Sequence, residues 1–132
     1  MILGVGVDLT EIARIQRALE DAKTGRRFRD RVYTAGEIEY CEGKGRGRYQ
    51  SYAGRFAAKE AVMKALGRGW SSQVTWLEIE IVRDPAGKPL VKLHDKTSAF
   101  ARARGIQELC LSITHAGGMA MAYVIAQGKR QD

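Results

Sequence analysis

The sequence predicts an α+β domain in which an antiparallel sheet packs against a long central helix. Helical patterns fill most of the first half of the chain, and strand patterns joined by short connections dominate the second half. One apolar run, from residue 51 to residue 66, is long enough for about four turns of helix. The predicted order of elements is β-α-α-α-β-β-α-β-β, and strands joined by short turns pair antiparallel.

Length and composition predict a single domain spanning residues 1–132. The chain is 45% hydrophobic and contains only two prolines, as expected for a packed core. Its longest apolar run, Met119 to Ala126, is too short to span a bilayer, and the N-terminus lacks the pattern of a signal peptide. Cys41 and Cys110 fit neither a zinc site nor a disulfide framework. We therefore expect a cytoplasmic protein with no membrane partner.

The first half of the chain predicts one strand and three helices. Residues Met1 to Val7 are apolar with spaced glycines and predict a buried strand. Asp8-Leu-Thr-Glu11 has the form of a capping box and predicts a helix that continues past Leu19. Thr34-Ala-Gly-Glu37 is a second capping box, which opens a short helix ending at Gly43. The central helix is predicted from Ser51 to Leu66, with Gly67 and Gly69 as stop signals.

The second half predicts a hairpin, a helix and two further strands. Residues 76–83 alternate between apolar and polar, which places Leu77, Ile79 and Ile81 on one buried face. The remaining elements are a turn at Asp84–Pro89, a strand at Leu90–Leu93, a helix capped by Asp95 and ending at Arg104, strands at Leu109–Thr114 and Met119–Ala126, and a frayed polar tail at Gln127–Asp132.

Charged residues on the central helix point to function. Arg55, Lys59, Glu60 and Lys64 interrupt or flank an otherwise apolar run. Because a buried charge is costly unless it is paired or binds a metal, these charges either lie at the edge of the core or serve a ligand. Glu60 and Lys64 also suit an ordinary i,i+4 ion pair, and Asp8 suits an N-cap.

Two carboxylates from separate elements, Asp8 and Glu60, can together hold Mg²⁺, with water and phosphate oxygens completing the octahedron. Lys64 and Arg55 would then neutralise phosphate charge. His115, before two glycines, either donates to a phosphate or is a turn histidine bonded to backbone. No spacing rule shows that these residues meet.

Four segments of the chain resemble the holo-[acyl-carrier-protein] synthase family, the small bacterial type of 4'-phosphopantetheinyl transferase. They cover nearly the whole chain in the family's order: Gly4-Val-Gly-Val-Asp-Leu-Thr-Glu-Ile-Ala-Arg-Ile15, Phe56-Ala-Ala-Lys-Glu-Ala-Val-Met-Lys-Ala-Leu-Gly-Arg-Gly69, Asp84-Pro-Ala-Gly-Lys-Pro89, and Ser112-Ile-Thr-His115 followed by Ala120-Met-Ala-Tyr-Val124. Thr114 stands where the family usually has serine, which keeps the hydroxyl group.

The resemblance implies Mg²⁺-dependent transfer of phosphopantetheine from coenzyme A to a serine of an apo acyl carrier protein, with release of adenosine 3',5'-bisphosphate. It implies catalytic roles for Asp8, Glu60 and Lys64, with the two carboxylates on the metal. The coenzyme A contacts that it implies are Arg55, Lys64, Gly67, Pro89 and His115. The base that accepts the serine proton is left open, and our hypothesis is Glu60 acting through a water.

The resemblance also implies partners. The net charge of +7 suits acidic molecules, and acyl carrier proteins are acidic. Exposed arginines early in the chain are the candidate docking residues: Arg14, Arg17, Arg26 and Arg27. The family implies a homotrimer with coenzyme A sites between subunits, and no nucleic acid.

Two other functions compete with this interpretation. A non-catalytic RNA-binding module would suit the net positive charge and the basic, glycine-rich loop from Gly43 to Arg48. Another Mg²⁺-dependent nucleotide enzyme would use the same carboxylates. Neither alternative accounts for all four segments.

Overall fold

The computed structural model describes residues 1–130 and confirms the α+β class, with helices concentrated before the strands of an antiparallel sheet. The elements are β1 (Ile2–Glu11), α1 (Ile12–Glu20), α2 (Gly25–Val32), α3 (Ala35–Glu42), α4 (Arg48–Leu66), β2 (Ile79–Arg83), β3 (Pro89–Leu93), α5 (Asp95–Ala103), β4 (Ile106–Ala116) and β5 (Met119–Gly128). Single 3₁₀ turns at Gly45–Gly47 and Trp76–Glu78 precede α4 and β2.

The strands form two antiparallel sheets. A three-stranded sheet has the order β1-β5-β4, and the hairpin β2-β3 forms a separate two-stranded sheet. Helix α4 lies against the three-stranded sheet at van der Waals distance. A Cβ added at Gly6 would lie 1.9 Å from the carbonyl oxygen of Ala61, and one at Gly4 would lie 2.1 Å from that of Ala65. The glycines of β1 therefore permit the close approach of the central helix.

The central helix is buried on almost every side, as the sequence predicts. Most of its alanines belong to a core shared with the sheet, whereas Tyr52, Ala53 and Phe56 belong to a second core shared with α1, α2 and α3. The helix ends at Leu66, and its C-cap is Gly67, whose left-handed backbone (φ 79°) few other residues adopt at low cost. Because α4 has neighbours on both sides, its orientation is strongly constrained, and so is the placement of its charged side chains.

The predicted capping box at Asp8 is wrong. Strand β1 continues through Glu11 because β5 pairs with it from Asp8, opposite Ala122, to Glu11, opposite Met119. Helix α1 therefore begins only at Ile12. The expected burial of this strand is also wrong for one face, since alternate side chains point away from α4 and remain about half exposed.

The other differences between the predicted and the observed elements are local. Helix α2 is not predicted by the sequence, and residues 76–78 form a 3₁₀ turn that leaves Leu77 exposed instead of a strand that buries it. His94 rather than Asp95 occupies the N-cap position of α5. Gln127 and Gly128 belong to β5 and are not frayed, and residues 131–132 of the predicted tail lie outside the described residues.

The second capping box is confirmed. The Thr34 hydroxyl accepts a hydrogen bond from the Glu37 backbone N–H, and the Glu37 carboxylate accepts one from the Thr34 backbone N–H. In residues 1–130, no helix has both the length and the apolar composition needed to cross a membrane.

Candidate active site

The first group of predicted site residues lies where β1 meets the last turns of α4. Lys64 Nζ donates to the backbone carbonyl of Val7 at 2.8 Å and lies 3.4 Å from Asp8 Oδ1. The other Asp8 oxygen accepts a 2.6 Å hydrogen bond from the Thr10 hydroxyl. Among the described residues, the ion pair of Lys64 is with Asp8, so the i,i+4 ion pair with Glu60, considered as an ordinary alternative, does not form. We call Asp8, Glu60 and Lys64 the carboxylate cluster.

Glu60 is half-buried next to Asp8. Burial raises the pKa of the Glu60 carboxyl above its ordinary value, and the negative charge of Asp8 raises it further, while Lys64 and Arg14 oppose the shift. Two carboxylates that repel each other in this way favour a cation between them. Within residues 1–130 there is no group of three or more metal-ligating side chains. This donor set suits Mg²⁺, which needs few protein carboxylates and keeps positions for water and phosphate oxygens.

A second group of predicted site residues lies at the opposite edge of the three-stranded sheet, at β4, and lines a small cavity of about 180 Å³. We call Arg55, His115 and Pro89, together with Tyr40 and Arg83, the arginine cavity. Arg55 is buried with its guanidinium 4.1 Å from the centre of the Tyr40 ring, and its Nε has no hydrogen-bond partner in the described part of the chain. An unpaired buried donor on a cation is costly, so this group is suited to an anionic ligand.

The histidine of this cavity is held by helix α4. His115 Nε2 lies 3.1 Å from the backbone carbonyl of Gln50, in the first turn of the helix. A Cβ added at Gly54 would lie 3.0 Å from the same nitrogen, so Gly54 leaves the room that the imidazole occupies. The backbone contact agrees with the structural role considered for His115, and His115 also lines the cavity.

The structure does not bring all predicted residues into one site. The carboxylate cluster lies at β1 and the arginine cavity at β4, which are the two edges of the three-stranded sheet. Helix α4 crosses between them, touching Ile113 and His115 on β4 near its start and Gly6 on β1 near its end. Within one subunit the two groups therefore lie on opposite sides of α4. Gly67 belongs to neither group and lines a separate cleft with Lys64.

The predicted docking arginines are exposed on the first two helices. Arg14 and Arg17 lie on α1, and Arg26 and Arg27 lie on α2. Arg14 differs from the others because its guanidinium lies 5.8 Å from the centre of the Phe56 ring and its charge acts on Glu60. This arginine is therefore close to the carboxylate cluster as well as to the surface of α1.

Sequence reasoning misjudged Lys59. Its ammonium group is fully buried and pairs with Glu37 at 2.7 Å. It also donates to the backbone carbonyls of Val32 (2.7 Å) and Trp76 (2.9 Å). Burial lowers the pKa of Lys59, and the charge of Glu37 opposes that shift. Lys59 therefore joins four segments of the chain and has no surface open to a ligand. Its partner, Glu37, was noted in the sequence only as part of the second capping box.

Comparison with known proteins identifies the family to which this chain belongs. The profile described as the 4'-phosphopantetheinyl transferase superfamily matches residues 4–124. A holo-[acyl-carrier-protein] synthase of Solibacter usitatus is 46% identical over 127 residues, which cover 96% of this chain and 99% of that protein. One from Ruminiclostridium cellulolyticum is 46% identical over 92% of this chain and 89% of that protein.

Solved structures that are similar to this one are also holo-[acyl-carrier-protein] synthases. The crystal structure of the synthase from Neisseria meningitidis has a TM-score of 0.86 at 33% identity and covers 96% of this chain and 99% of its own. That of the Helicobacter pylori synthase in complex with coenzyme A has a TM-score of 0.79 at 35% identity, covering 93% and 99%. The family profile and these relatives identify the chain as a group-transfer enzyme. The chain belongs to the 4'-phosphopantetheinyl transferase superfamily and is similar over almost its whole length to the holo-[acyl-carrier-protein] synthases within it.

Proposed function

We propose that this protein transfers the 4'-phosphopantetheine group of coenzyme A to a serine of an apo acyl carrier protein. The carboxylate cluster carries the proposal, because it places two carboxylates and one ammonium group where a pyrophosphate and Mg²⁺ can be held together. Named relatives support the substrates: they are holo-[acyl-carrier-protein] synthases, and one was crystallised with coenzyme A.

The reaction makes one bond and breaks one. The serine oxygen bonds to the phosphorus that carries pantetheine, the bond from this phosphorus to the bridging oxygen breaks, and adenosine 3',5'-bisphosphate leaves. Asp8 and Glu60 would hold Mg²⁺, which supplies positive charge at the pyrophosphate. Lys64 adds a second positive charge that stabilises the leaving phosphate. Glu60 is the proposed acceptor of the serine proton through a water.

We also propose that the protein works as a homotrimer with its sites between subunits. The carboxylate cluster and the arginine cavity lie at opposite sheet edges, so one copy presents half of the expected ligand contacts at each edge. A head-to-tail contact joins the β1 edge of one copy to the β4 edge of the next, and such contacts close into a ring when the rotation permits.

The outer face of the sheet supports assembly as well. Its exposed apolar side chains form adjacent rows across β1 and β5, with Val7 opposite Tyr123 and Leu9 opposite Met121. Val5 continues the β1 row. Contiguous exposed apolar surface of this kind marks an interaction site.

The basic surface of α1 and α2 is the proposed docking site for the carrier, because a positive patch attracts an acidic protein. We place the enzyme in the cytoplasm, in agreement with its two free thiols, Cys41 and Cys110. Fatty-acid synthesis is the proposed pathway, since it uses acyl carrier protein.

Intact-mass spectrometry tests the proposal directly. An apo acyl carrier protein incubated with the enzyme, coenzyme A and Mg²⁺ should gain the mass of one phosphopantetheine. EDTA and the Asp8→Ala variant should each abolish the gain, and Asp95→Ala, which changes an exposed carboxylate on α5, should not. No mass change with several carriers would contradict the transferase, and full activity in EDTA would contradict the metal.

A further inference from the structure

Tyr40 lines the arginine cavity and contacts three cationic side chains, and the reaction described above gives it no role. Its ring centre lies 4.1 Å from the guanidinium carbon of Arg55, 5.0 Å from that of Arg83 and 4.8 Å from Lys44 Nζ. The electron-rich face of an aromatic ring attracts cations. One ring therefore brings together three positive charges that would otherwise repel one another.

No acidic side chain neutralises these three charges. In residues 1–130, no carboxylate lies within 4.0 Å of the charged nitrogens of Lys44, Arg55 or Arg83. Burial by itself would raise the pKa of the Tyr40 phenol, but a side-chain hydrogen bond with Lys44 and the positive charges of Arg55 and Arg83 lower this pKa overall. The unbalanced positive charge of the cavity therefore acts directly on the phenol ring.

Helix α3 constrains the position of this ring. Glu37 lies one turn before Tyr40 and is buried, and its carboxylate accepts a 2.7 Å hydrogen bond from the backbone N–H of Ile81 on β2. Cys41, the residue after Tyr40, is buried as well. Because buried contacts lie on both sides of Tyr40 along the helix, the ring cannot move away from Arg55 without disturbing the core.

The turn after β2 places Arg83 against the same phenol. Arg83 Nε donates to the backbone carbonyl of Gly87 at 3.0 Å, and Arg83 Nη1 donates to the Tyr40 hydroxyl oxygen. A Cβ added at Gly87 would lie 2.5 Å from Arg83 Nη2, so a side chain at that position would displace the guanidinium. Arg83 therefore contacts the hydroxyl end of Tyr40, while the ring itself contacts Arg55.

Resting on the proposed function, we propose that Tyr40 is a positioning residue that orients the Arg55 guanidinium toward an anionic group of coenzyme A. Arg55 is buried, and its Nε has no hydrogen-bond partner in the described part of the chain, so its contact with the ring is an orienting interaction. A guanidinium that is already ordered loses less entropy when it binds an anion. Tyr40 acts through Arg55 and touches no reacting atom.

Calorimetric titration with coenzyme A, in the presence of Mg²⁺, tests this role. Tyr40→Leu removes the ring and should weaken binding roughly tenfold, the factor for a partly desolvated cation–π contact. Tyr40→Phe keeps the ring and should bind within about twofold of the wild type. Tyr49→Leu is the matched control, because the Tyr49 ring contacts Arg48 at 4.6 Å outside the cavity, and it should bind as the wild type does.

A double-variant cycle separates positioning from a merely structural role. Tyr40→Leu should weaken binding much less in the Arg55→Gln background than in the wild type, because the guanidinium through which the ring acts is then absent. In the transfer assay, Tyr40→Leu should raise KM for coenzyme A and keep kcat at saturating coenzyme A. A variant that is only partly folded would instead lose kcat at an unchanged KM.

The outcomes separate the role of Tyr40 from the transferase itself. Equal affinities of the wild type, Tyr40→Leu and Tyr49→Leu would overturn the positioning role even if transfer is normal. Losses that simply add in the double variant would overturn it as well. A tenfold loss in Tyr40→Leu that disappears in the Arg55→Gln background, in a protein that modifies no carrier, would support the role of Tyr40 and contradict the proposed reaction.

Discussion

At the scale of single residues, the sequence predicted that charged residues of α4 are functional, but it could not show which of them are structural and which face the carboxylate cluster. Lys59 and Glu60 are neighbours, yet Lys59 points into the core while Glu60 faces Asp8. The difference arises from helix geometry, since successive residues point about 100° apart. Which direction meets Glu37 and which meets Asp8 depends on the positions of α3 and β1, and neither contact is visible in a local pattern.

Replacing Lys59 tests its structural role. Lys59→Met would leave the fully buried Glu37 without its ion-pair partner, and removing one member of such a pair costs about 3–5 kcal/mol. We expect that loss in the free energy of unfolding measured by urea denaturation. Lys96→Met, an exposed lysine on α5, should change it by less than about 0.5 kcal/mol.

Adding Glu37→Gln to Lys59→Met removes the buried charge and leaves an amide oxygen for one of the two backbone N–H groups, those of Thr34 and Ile81, that the two Glu37 oxygens now serve. The double variant should therefore be more stable than Lys59→Met alone. If Lys59→Met unfolds at the same urea concentration as Lys96→Met, the buried pair contributes nothing to stability and this account of Lys59 is wrong.

At the scale of elements, two capping boxes with similar sequences had different outcomes. Thr34 and Glu37 form a reciprocal pair at the start of α3. The segment beginning at Asp8 remains a strand because β5 supplies backbone partners as far as Glu11. Tertiary pairing therefore overrode a local signal, and this places Asp8 beside Lys64 instead of at a helix terminus. Helix α2 was missed because it begins at a glycine and has only two large apolar residues, Phe28 and Val32, among its eight residues.

Helix α1 is proposed to bind the carrier protein, and a substitution at Arg17 tests this docking role better than one at Arg14 does. Arg14 acts on Glu60, so changing it would disturb the carboxylate cluster as well as the surface. Arg17→Glu should raise KM for the carrier, by about tenfold at low salt, and leave coenzyme A affinity unchanged. The difference from wild type should shrink as salt rises, because exposed charges are screened.

Arg102→Glu gives the control for net charge, since it makes the same change on α5. If both variants raise KM for the carrier equally, the effect belongs to overall charge and α1 is not the docking element. An unchanged KM in Arg17→Glu would exclude α1 as a basic docking surface.

At the scale of the whole molecule, the division of the predicted residues between two sheet edges has the largest consequence. The motifs predicted the residue types of the site, and the four segments were sufficient to predict the family. They could not show that Arg55 and Asp8 lie on opposite sides of α4, because motif order carries no information about which edge of a sheet a residue reaches. If the proposed function holds, a monomer would carry two incomplete halves of the site, and assembly would be part of the chemistry.

Subunit complementation tests whether sites are shared. Asp8→Ala removes the carboxylate half and Arg55→Gln removes the cationic half, so each variant alone should transfer little phosphopantetheine. In a ring, each site takes its Asp8 from one copy and its Arg55 from the next. When equal amounts of the two variants are unfolded and refolded together, roughly one quarter of wild-type activity should return, because each site draws both intact halves at random. Mixing without refolding should restore less, since the copies exchange slowly in a stable ring. Activity that stays at the sum of the separate variants, in refolded material of trimer mass, would show that each subunit holds a complete site by itself.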